Sequence, residues 1–144
     1  MQWIPEIAKA GGKSYTFHYE AVGASRDPHG FRRDPVLTAD NHQEIIDLIH
    51  KSNLKAGLAI SPDTSSDVIT ESLGNSADLL LVMTVHPGQG GQKFMPECLE
   101  KVKDLRERFP GKNIQVDGGV GPGNVCQCAQ AGTSWCCLYT LKSR

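Results

Sequence analysis

Two glycine-containing segments carry the residue types that could do chemistry. The first, residues 87–95, reads PGQGGQKFM and follows an apolar run, and the second, residues 116–120, reads VDGGV and ends another strand-like run. Glycines directly after a strand let backbone N–H groups close on an anionic ligand. A carboxylate at the end of a neighbouring strand supplies a proton acceptor or a metal ligand. Together the two segments predict a phosphate-handling active site.

Asp117 is the first candidate for a catalytic group. It ends a strand-like run and precedes two glycines, so its carboxylate should lie at the C-terminal edge of a sheet, where α/β proteins place their ligands. The alternative is an Asp that caps the following helix, which is common at strand-to-helix turns. The D-G-G pattern alone does not decide between the two interpretations.

The glycine loop has an equally simple alternative. Gly88, Gly90 and Gly91 lie within four positions, which implies backbone conformations closed to other residues. Close approach to a phosphate is one reason for such a loop, and a tight turn without a ligand is the other, which the pattern alone favours. Lys93 could add a positive charge to a bound anion, although a lysine entering a helix is more often simply solvated.

The histidines and cysteines give weaker signals. His18 ends a strand-like run and His86 precedes the glycine loop, so either could be a polar liner of the same mouth, although a neutral, hydrogen-bonded histidine is the commoner role. The sequence has no H-x-H, H-x-D or H-E-x-x-H element that would nominate a metal site. The five cysteines form an odd set without paired C-x-x-C elements and are expected to be reduced thiols.

Strands alternating with helices must position these residues. Apolar runs without polar interruption are typical of the buried strands of a parallel sheet. Four strands are predicted at 15–19, 56–60, 79–85 and 113–117, with a fifth candidate at 136–141. Helices are predicted at 2–10, around Ile45 to Ile49, at 66–73, at 99–109 and at 123–131.

Composition limits the class of protein. With 144 residues, 39% hydrophobic and 22% charged, the chain is expected to form one globular domain. The net charge of -1 gives no indication of a nucleic-acid or membrane partner. No stretch reaches the ~18 apolar residues of a spanning helix, and the start lacks the pattern of a signal peptide. We therefore expect a soluble, cytoplasmic protein whose ligand is a small metabolite.

Two segments break the alternation. Residues 25–40 are polar and contain prolines, where a βα loop takes only ~2–6 residues, so they are predicted to be an inserted surface loop. Residues 133–144 form a divergent tail, with Trp135 and two cysteines where a regular strand is expected. An eight-unit barrel takes at least ~200 residues, so residues 1–144 are predicted to form a single partial barrel domain.

Three motifs resemble those of ribulose-phosphate 3-epimerases. They are VMTVHPGQGGQKF at 82–94, VDGGV at 116–120 and YTFHYEA at 15–21, and their order and spacing agree with the family. Residues 2–11 resemble the family's third helix. The resemblance implies an α/β fold, a partial (β/α)₈ TIM barrel of the ribulose-phosphate-binding type that lacks the first strands and a regular last strand.

The resemblance also implies a reaction. The family interconverts ribulose 5-phosphate and xylulose 5-phosphate of the pentose phosphate pathway, using two acid/base carboxylates and a divalent metal held by both Asp and two His. Asp117 matches one of these Asp residues, as a catalytic group and a metal ligand. Zinc, iron, manganese or cobalt would suit such ligands. The family's substrate-binding positions correspond to Gly88, Gln89, Gly90, Gly91, Asp117, Gly118 and Gly119.

The remaining family ligands, an H-x-D element and a further His, match positions before the first residue of this sequence. We therefore expect the isolated chain to be nearly or wholly inactive. The alternative is a non-catalytic fragment that binds phosphosugar or a full-length epimerase subunit. A different phosphate-binding barrel enzyme is a third interpretation, which the K-F ending of the glycine motif disfavours. Strand edges left exposed would promote association into a homo-oligomer.

Overall fold

Helices and strands alternate along the chain in the computed structural model, which describes residues 3–22, 42–86, 88 and 91–138. The elements are α1 (Trp3–Lys9), β1 (Ser14–His18), α2 (His42–Lys51), β2 (Lys55–Ile60), α3 (Glu71–Ser76), β3 (Leu79–Met83), α4 (Leu99–Arg108), β4 (Asn113–Val120), α5 (Val125–Ala131) and β5 (Trp135–Leu138). Of these helices, none is long and apolar enough to cross a membrane. The insertion predicted at 25–40 lies outside the described residues and stays a prediction.

The five strands form one parallel sheet in the order β1-β2-β3-β4-β5. Each βα unit therefore adds its strand next to the previous one, as the units do in the wall of a (β/α) barrel. The predicted parallel sheet is confirmed. The fifth candidate is confirmed as well, because residues 135–138 of the predicted tail pair with β4, with a shift of register between Asp117 and Val120.

Among the described residues, helices cover one face of the sheet. Side chains alternate along a strand, so Leu58, Leu80 and Ile114 point to the same face and are fully buried. They pack in one core cluster with residues of α2 and α4, including Ile46, Ile49, Val102 and Leu105. The opposite face, called here the open face, carries Gln115 and Asp117 of β4 and their neighbours across the ladders.

The predicted helix at 66–73 is wrong in detail. The structure has a short 3₁₀ turn at Ser66–Val68 and then the separate helix α3. The reason is a new cap at Thr70, whose side chain accepts a hydrogen bond from the N–H of Leu73 at 3.3 Å. Such a capping hydroxyl starts a helix, so the apolar periodicity across this position belongs to two elements.

Candidate active site at the C-terminal edge of the sheet

Asp117 lies on the open face near the C-terminal end of β4. It pairs with Met83, the last residue of β3, on one side and with Cys137 of β5 on the other. The next helix, α5, begins at Val125 with Asn124 as its N-cap, so the alternative in which Asp117 caps that helix is wrong. Burial raises the pKa of the Cys137 thiol and the charge of Asp117 adds to it, so a neutral thiol lies beside this carboxylate.

The two segments singled out in the sequence lie directly against each other. Gly118 and Gly119 have φ angles of +121° and +64°. A Cβ on Gly118 would lie 2.5 Å from Cγ2 of Val85, and one on Gly119 would lie 2.7 Å from the backbone nitrogen of Phe94. Only glycine at both positions lets the loop after β3 pack on the end of β4 that follows Asp117.

The described part of the glycine loop has the backbone conformations that its composition predicts. Gly88 and Gly91 have φ angles of +123° and +76°, and a Cβ at either would meet no atom within 4 Å. The space next to these two glycines is therefore open. This is expected both for a ligand site and for a tight turn without a ligand, so it does not distinguish the two interpretations. Gln89 and Gly90 lie outside the described residues, and Lys93 is exposed, in agreement with a solvated side chain.

Both candidate histidines have a carboxylate neighbour. Nδ1 of His18 lies 3.3 Å from Oε2 of Glu20, and Nδ1 of His86 lies 3.4 Å from Oδ2 of Asp63. Three strand spacings of ~4.8 Å separate β1 from β4, so His18 is roughly 14 Å from Asp117 along the sheet. His18 and Asp117 are therefore not on neighbouring strands, and the role of His18 as a polar liner stays a prediction.

The residues described by the structure do not complete a metal site. They contain no group of three or more His, Cys, Asp or Glu side chains that could hold an ion. Asp117 would contribute one carboxylate, whereas a metal of this kind needs several protein ligands in a fixed geometry. The described residues by themselves therefore do not fit a complete catalytic metal centre.

Glu20 is an acidic group at the same edge that the sequence analysis did not single out. Its Oε1 accepts hydrogen bonds from the N–H of Ser61, at 2.8 Å, and from the hydroxyl of Thr64. Burial raises the pKa of this carboxyl, but the hydrogen bonds outweigh burial and lower the pKa below its ordinary value of 4.5. The ionised carboxylate of Glu20 therefore holds the loop after β2 in place.

We expect this carboxylate to make folding stability acid-sensitive. Because the pKa of Glu20 is lower in the folded chain, its stabilisation is present above about pH 4.5 and is lost as the pH falls through the folded value. Urea unfolding between pH 3 and pH 7 should show a smaller loss of stability at low pH for Glu20→Gln than for the wild type. Glu107→Gln, an exposed position on α4, should keep the wild-type profile, and an unchanged Glu20→Gln profile would contradict the assignment.

A parallel sheet covered by helices on one face, with a carboxylate and two glycine segments at its C-terminal edge, is typical of the wall of a (β/α) barrel. A sequence model described as "Ribulose-phosphate 3 epimerase family" matches residues 1–138. The chain belongs to this family, whose fold is a (β/α)₈ barrel, and the resemblance seen in the motifs is confirmed.

Curated relatives support the same assignment. The chain is 43% identical over 133 residues to the ribulose-phosphate 3-epimerase of Candida glabrata, covering 92% of this chain and 47% of that protein. It is 37% identical to the cytoplasmic isoform of Oryza sativa subsp. japonica, covering 92% and 52%, and 34% identical to the enzyme of Mycobacterium bovis, covering 91% and 51%. The chain thus spans about half the length of the curated relatives it matches.

Proposed function

We propose that this chain contributes one half of a ribulose-phosphate 3-epimerase site, with Asp117 as one of its two acid/base groups. The supporting observation is the position of Asp117 at the C-terminal edge of the sheet, next to Gly118 and Gly119, on which the loop after β3 packs. The substrate is a sugar phosphate, and the reaction interconverts D-ribulose 5-phosphate and D-xylulose 5-phosphate. The relative from Oryza sativa is named a cytoplasmic isoform, and we propose the same location for this chain.

In this proposal the carboxylate of Asp117 takes or returns the proton at carbon 3, next to the ketone. The backbone N–H groups of the glycine segments, at Gly88, Gln89, Gly90 and Gly91 and at Gly118 and Gly119, hold the phosphosugar. A divalent cation such as zinc, iron, manganese or cobalt stabilises the negative charge that develops on the substrate in this family. Asp117 would be one ligand of that ion, whose site the described residues do not complete.

A single acid/base group predicts a partial reaction. One carboxylate can remove the proton and return another to the same face, which exchanges the hydrogen with solvent without inverting the carbon. Inversion needs a second group on the opposite face, and loss of such a partner typically costs ~10²–10⁴ in rate. We therefore expect the isolated chain to exchange the carbon 3 hydrogen faster than it forms xylulose 5-phosphate.

The test is to incubate the purified 144-residue chain with ribulose 5-phosphate in D₂O, with and without added divalent metal, and to follow both products by NMR. Deuterium at carbon 3 with little xylulose 5-phosphate would support the proposal. Full inversion would show that a second acid/base group is assembled, for example by association of two chains. If the folded protein showed no exchange and no inversion, the proposed activity would be contradicted.

A second candidate function is a non-catalytic fragment that binds phosphosugar or a full-length epimerase subunit. It is favoured by the described residues, which contain no group of three or more His, Cys, Asp or Glu side chains that could hold the metal of the family reaction. Binding of ribulose 5-phosphate without any exchange of hydrogen would distinguish it from the first proposal.

The open face also predicts self-association. The sheet in the described part of the chain ends at β1 and β5 without further pairing, and Trp135 on the open face is 63% exposed. Sedimentation velocity should show oligomers whose fraction falls in Trp135→Lys. Trp3→Lys is the matched control, because Trp3 is 71% exposed but lies on α1, whose Ile4 packs in the core under the helices. A monomer at all concentrations, or equal effects of the two variants, would contradict this expectation.

A further inference from the structure

Thr84 is a buried polar residue at the junction of the two glycine segments. It follows the last residue of β3 and is 0% exposed. Its N–H donates to the carbonyl of Asp117 at 2.8 Å, and its own carbonyl accepts from the N–H of Met95 at 2.9 Å. Its hydroxyl oxygen lies 2.6 Å from the carbonyl of Gly118 and 3.0 Å from that of Asp117.

These contacts determine the orientation of two peptide planes. The hydroxyl has one proton and donates it to one acceptor at a time, and the shorter distance favours the carbonyl of Gly118. Because a peptide unit is planar, holding the carbonyls of Asp117 and Gly118 on Thr84 directs the N–H groups of Gly118 and Gly119 to the opposite side. The backbone at the candidate carboxylate is thereby fixed from the side of β3.

The need for such a contact follows from the sequence. Glycine readily adopts many backbone conformations, so nothing in Gly118 or Gly119 themselves selects the observed φ angles of +121° and +64°. The register of β4 on β5 also shifts directly after Asp117, which loosens the other side of the ladder. The Met95 hydrogen bond in turn ties the end of the glycine loop to the same residue.

We propose that Thr84 is a positioning residue for this site, which sets the peptide planes that follow Asp117 and joins them to the glycine loop. The proposal rests on the proposed function for the identity of the ligand. It does not depend on that function for the geometry.

The test compares Thr84→Val, which keeps the shape but removes the hydroxyl, with Thr84→Ser, which keeps the hydroxyl. Residual dipolar couplings of the N–H groups of Gly118 and Gly119 report the two peptide planes directly. A titration with ribulose 5-phosphate, followed at the same amides, reports binding. In Thr84→Val we expect a changed coupling at Gly119, whose peptide plane loses the hydroxyl, while the N–H of residue 84 still holds the plane of Gly118. Binding should be about tenfold weaker, the factor that corresponds to one lost net hydrogen bond, and Thr84→Ser should give near wild-type values.

Val82→Ala is the control for a merely structural role. Val82 lies on the same strand, is fully buried and faces the helices, so its truncation should lower stability and leave the couplings and the affinity unchanged. Unchanged couplings in Thr84→Val, or an equal change in Val82→Ala, would overturn the proposal. If the wild type does not bind ribulose 5-phosphate, the proposed function is wrong. The residual dipolar couplings do not depend on the ligand, so they still test the role of Thr84.

A measurement on the wild type covers the case in which Thr84→Val does not fold. A hydroxyl that donates to the carbonyl of Gly118 in a buried site should give a slowly exchanging proton signal with contacts to Gly118. A hydroxyl proton that exchanges as fast as those of exposed threonines would overturn the proposal.

Discussion

Asp117→Asn should reduce the exchange of the carbon 3 hydrogen of ribulose 5-phosphate by ~10²–10⁴, the usual contribution of a general acid/base group. Asn keeps the size and planar shape of the side chain but cannot accept a proton from carbon. Asp117 is partly exposed on the open face and pairs with Met83 and Cys137, so an amide can occupy the same position without burying a new polar group. The measurement is deuterium incorporation by NMR at saturating substrate.

Asp63→Asn is the matched control for this prediction. It removes the same charge from the same edge of the sheet, where Asp63 is largely exposed near His86. If both variants lost exchange equally, the effect would be electrostatic and general. If Asp117→Asn exchanged the carbon 3 hydrogen at the wild-type rate, Asp117 would not be the base.

Gly119→Ala should have the largest effect on the structure of the site. The φ angle of Gly119 is +64°, a conformation that costs other residues ~1–2 kcal/mol. The added Cβ would also lie 2.7 Å from the nitrogen of Phe94 and 3.2 Å from the carbonyl oxygen of Gln92, both of which are backbone atoms. The backbone of Gln92 and Phe94 must therefore move away from residue 119. We expect loss of phosphosugar binding together with a lower free energy of unfolding.

Urea unfolding and titration with ribulose 5-phosphate measure the two effects. Gly121→Ala is the control two residues further on, because a Cβ at Gly121 would meet no atom within 4 Å. Its stability and binding should stay near those of the wild type. Equal behaviour of the two variants would show that the contact between the loop and the turn is unimportant for the site.

The regular elements follow from local patterns, and most were predicted to within a few residues. Helix α4 and strand β2 are examples, since the helical spacing of Leu99, Val102 and Leu105 and the apolar run at 56–60 each have one simple interpretation. The pattern at 66–73 predicted one helix where the structure has two elements. The reason is that the capping hydrogen bond of Thr70 begins a new helix. Periodicity averages over several residues and does not register a single hydrogen bond.

The candidate site divides in the same way. Asp117 and the glycines could be named from the sequence because strand ends and glycine-rich turns are local signals. Thr84 could not, since its importance comes from hydrogen bonds to residues about thirty positions away, at Asp117 and Gly118. The one signal available was a polar residue within the apolar run at 79–85, and that residue type alone does not show which carbonyls it contacts.

By itself, the sequence determined the family, the parallel αβ architecture and the position of a carboxylate beside glycines, because motifs and apolar periods are properties of contiguous residues. Tertiary structure alone decided that the end of β4 after Asp117 lies against the loop after β3, and that helices cover only one face of the described sheet. Those facts depend on which backbones approach within van der Waals distance, as at Gly119 and Phe94. Such approach is set by the packing of whole elements, which no local pattern encodes.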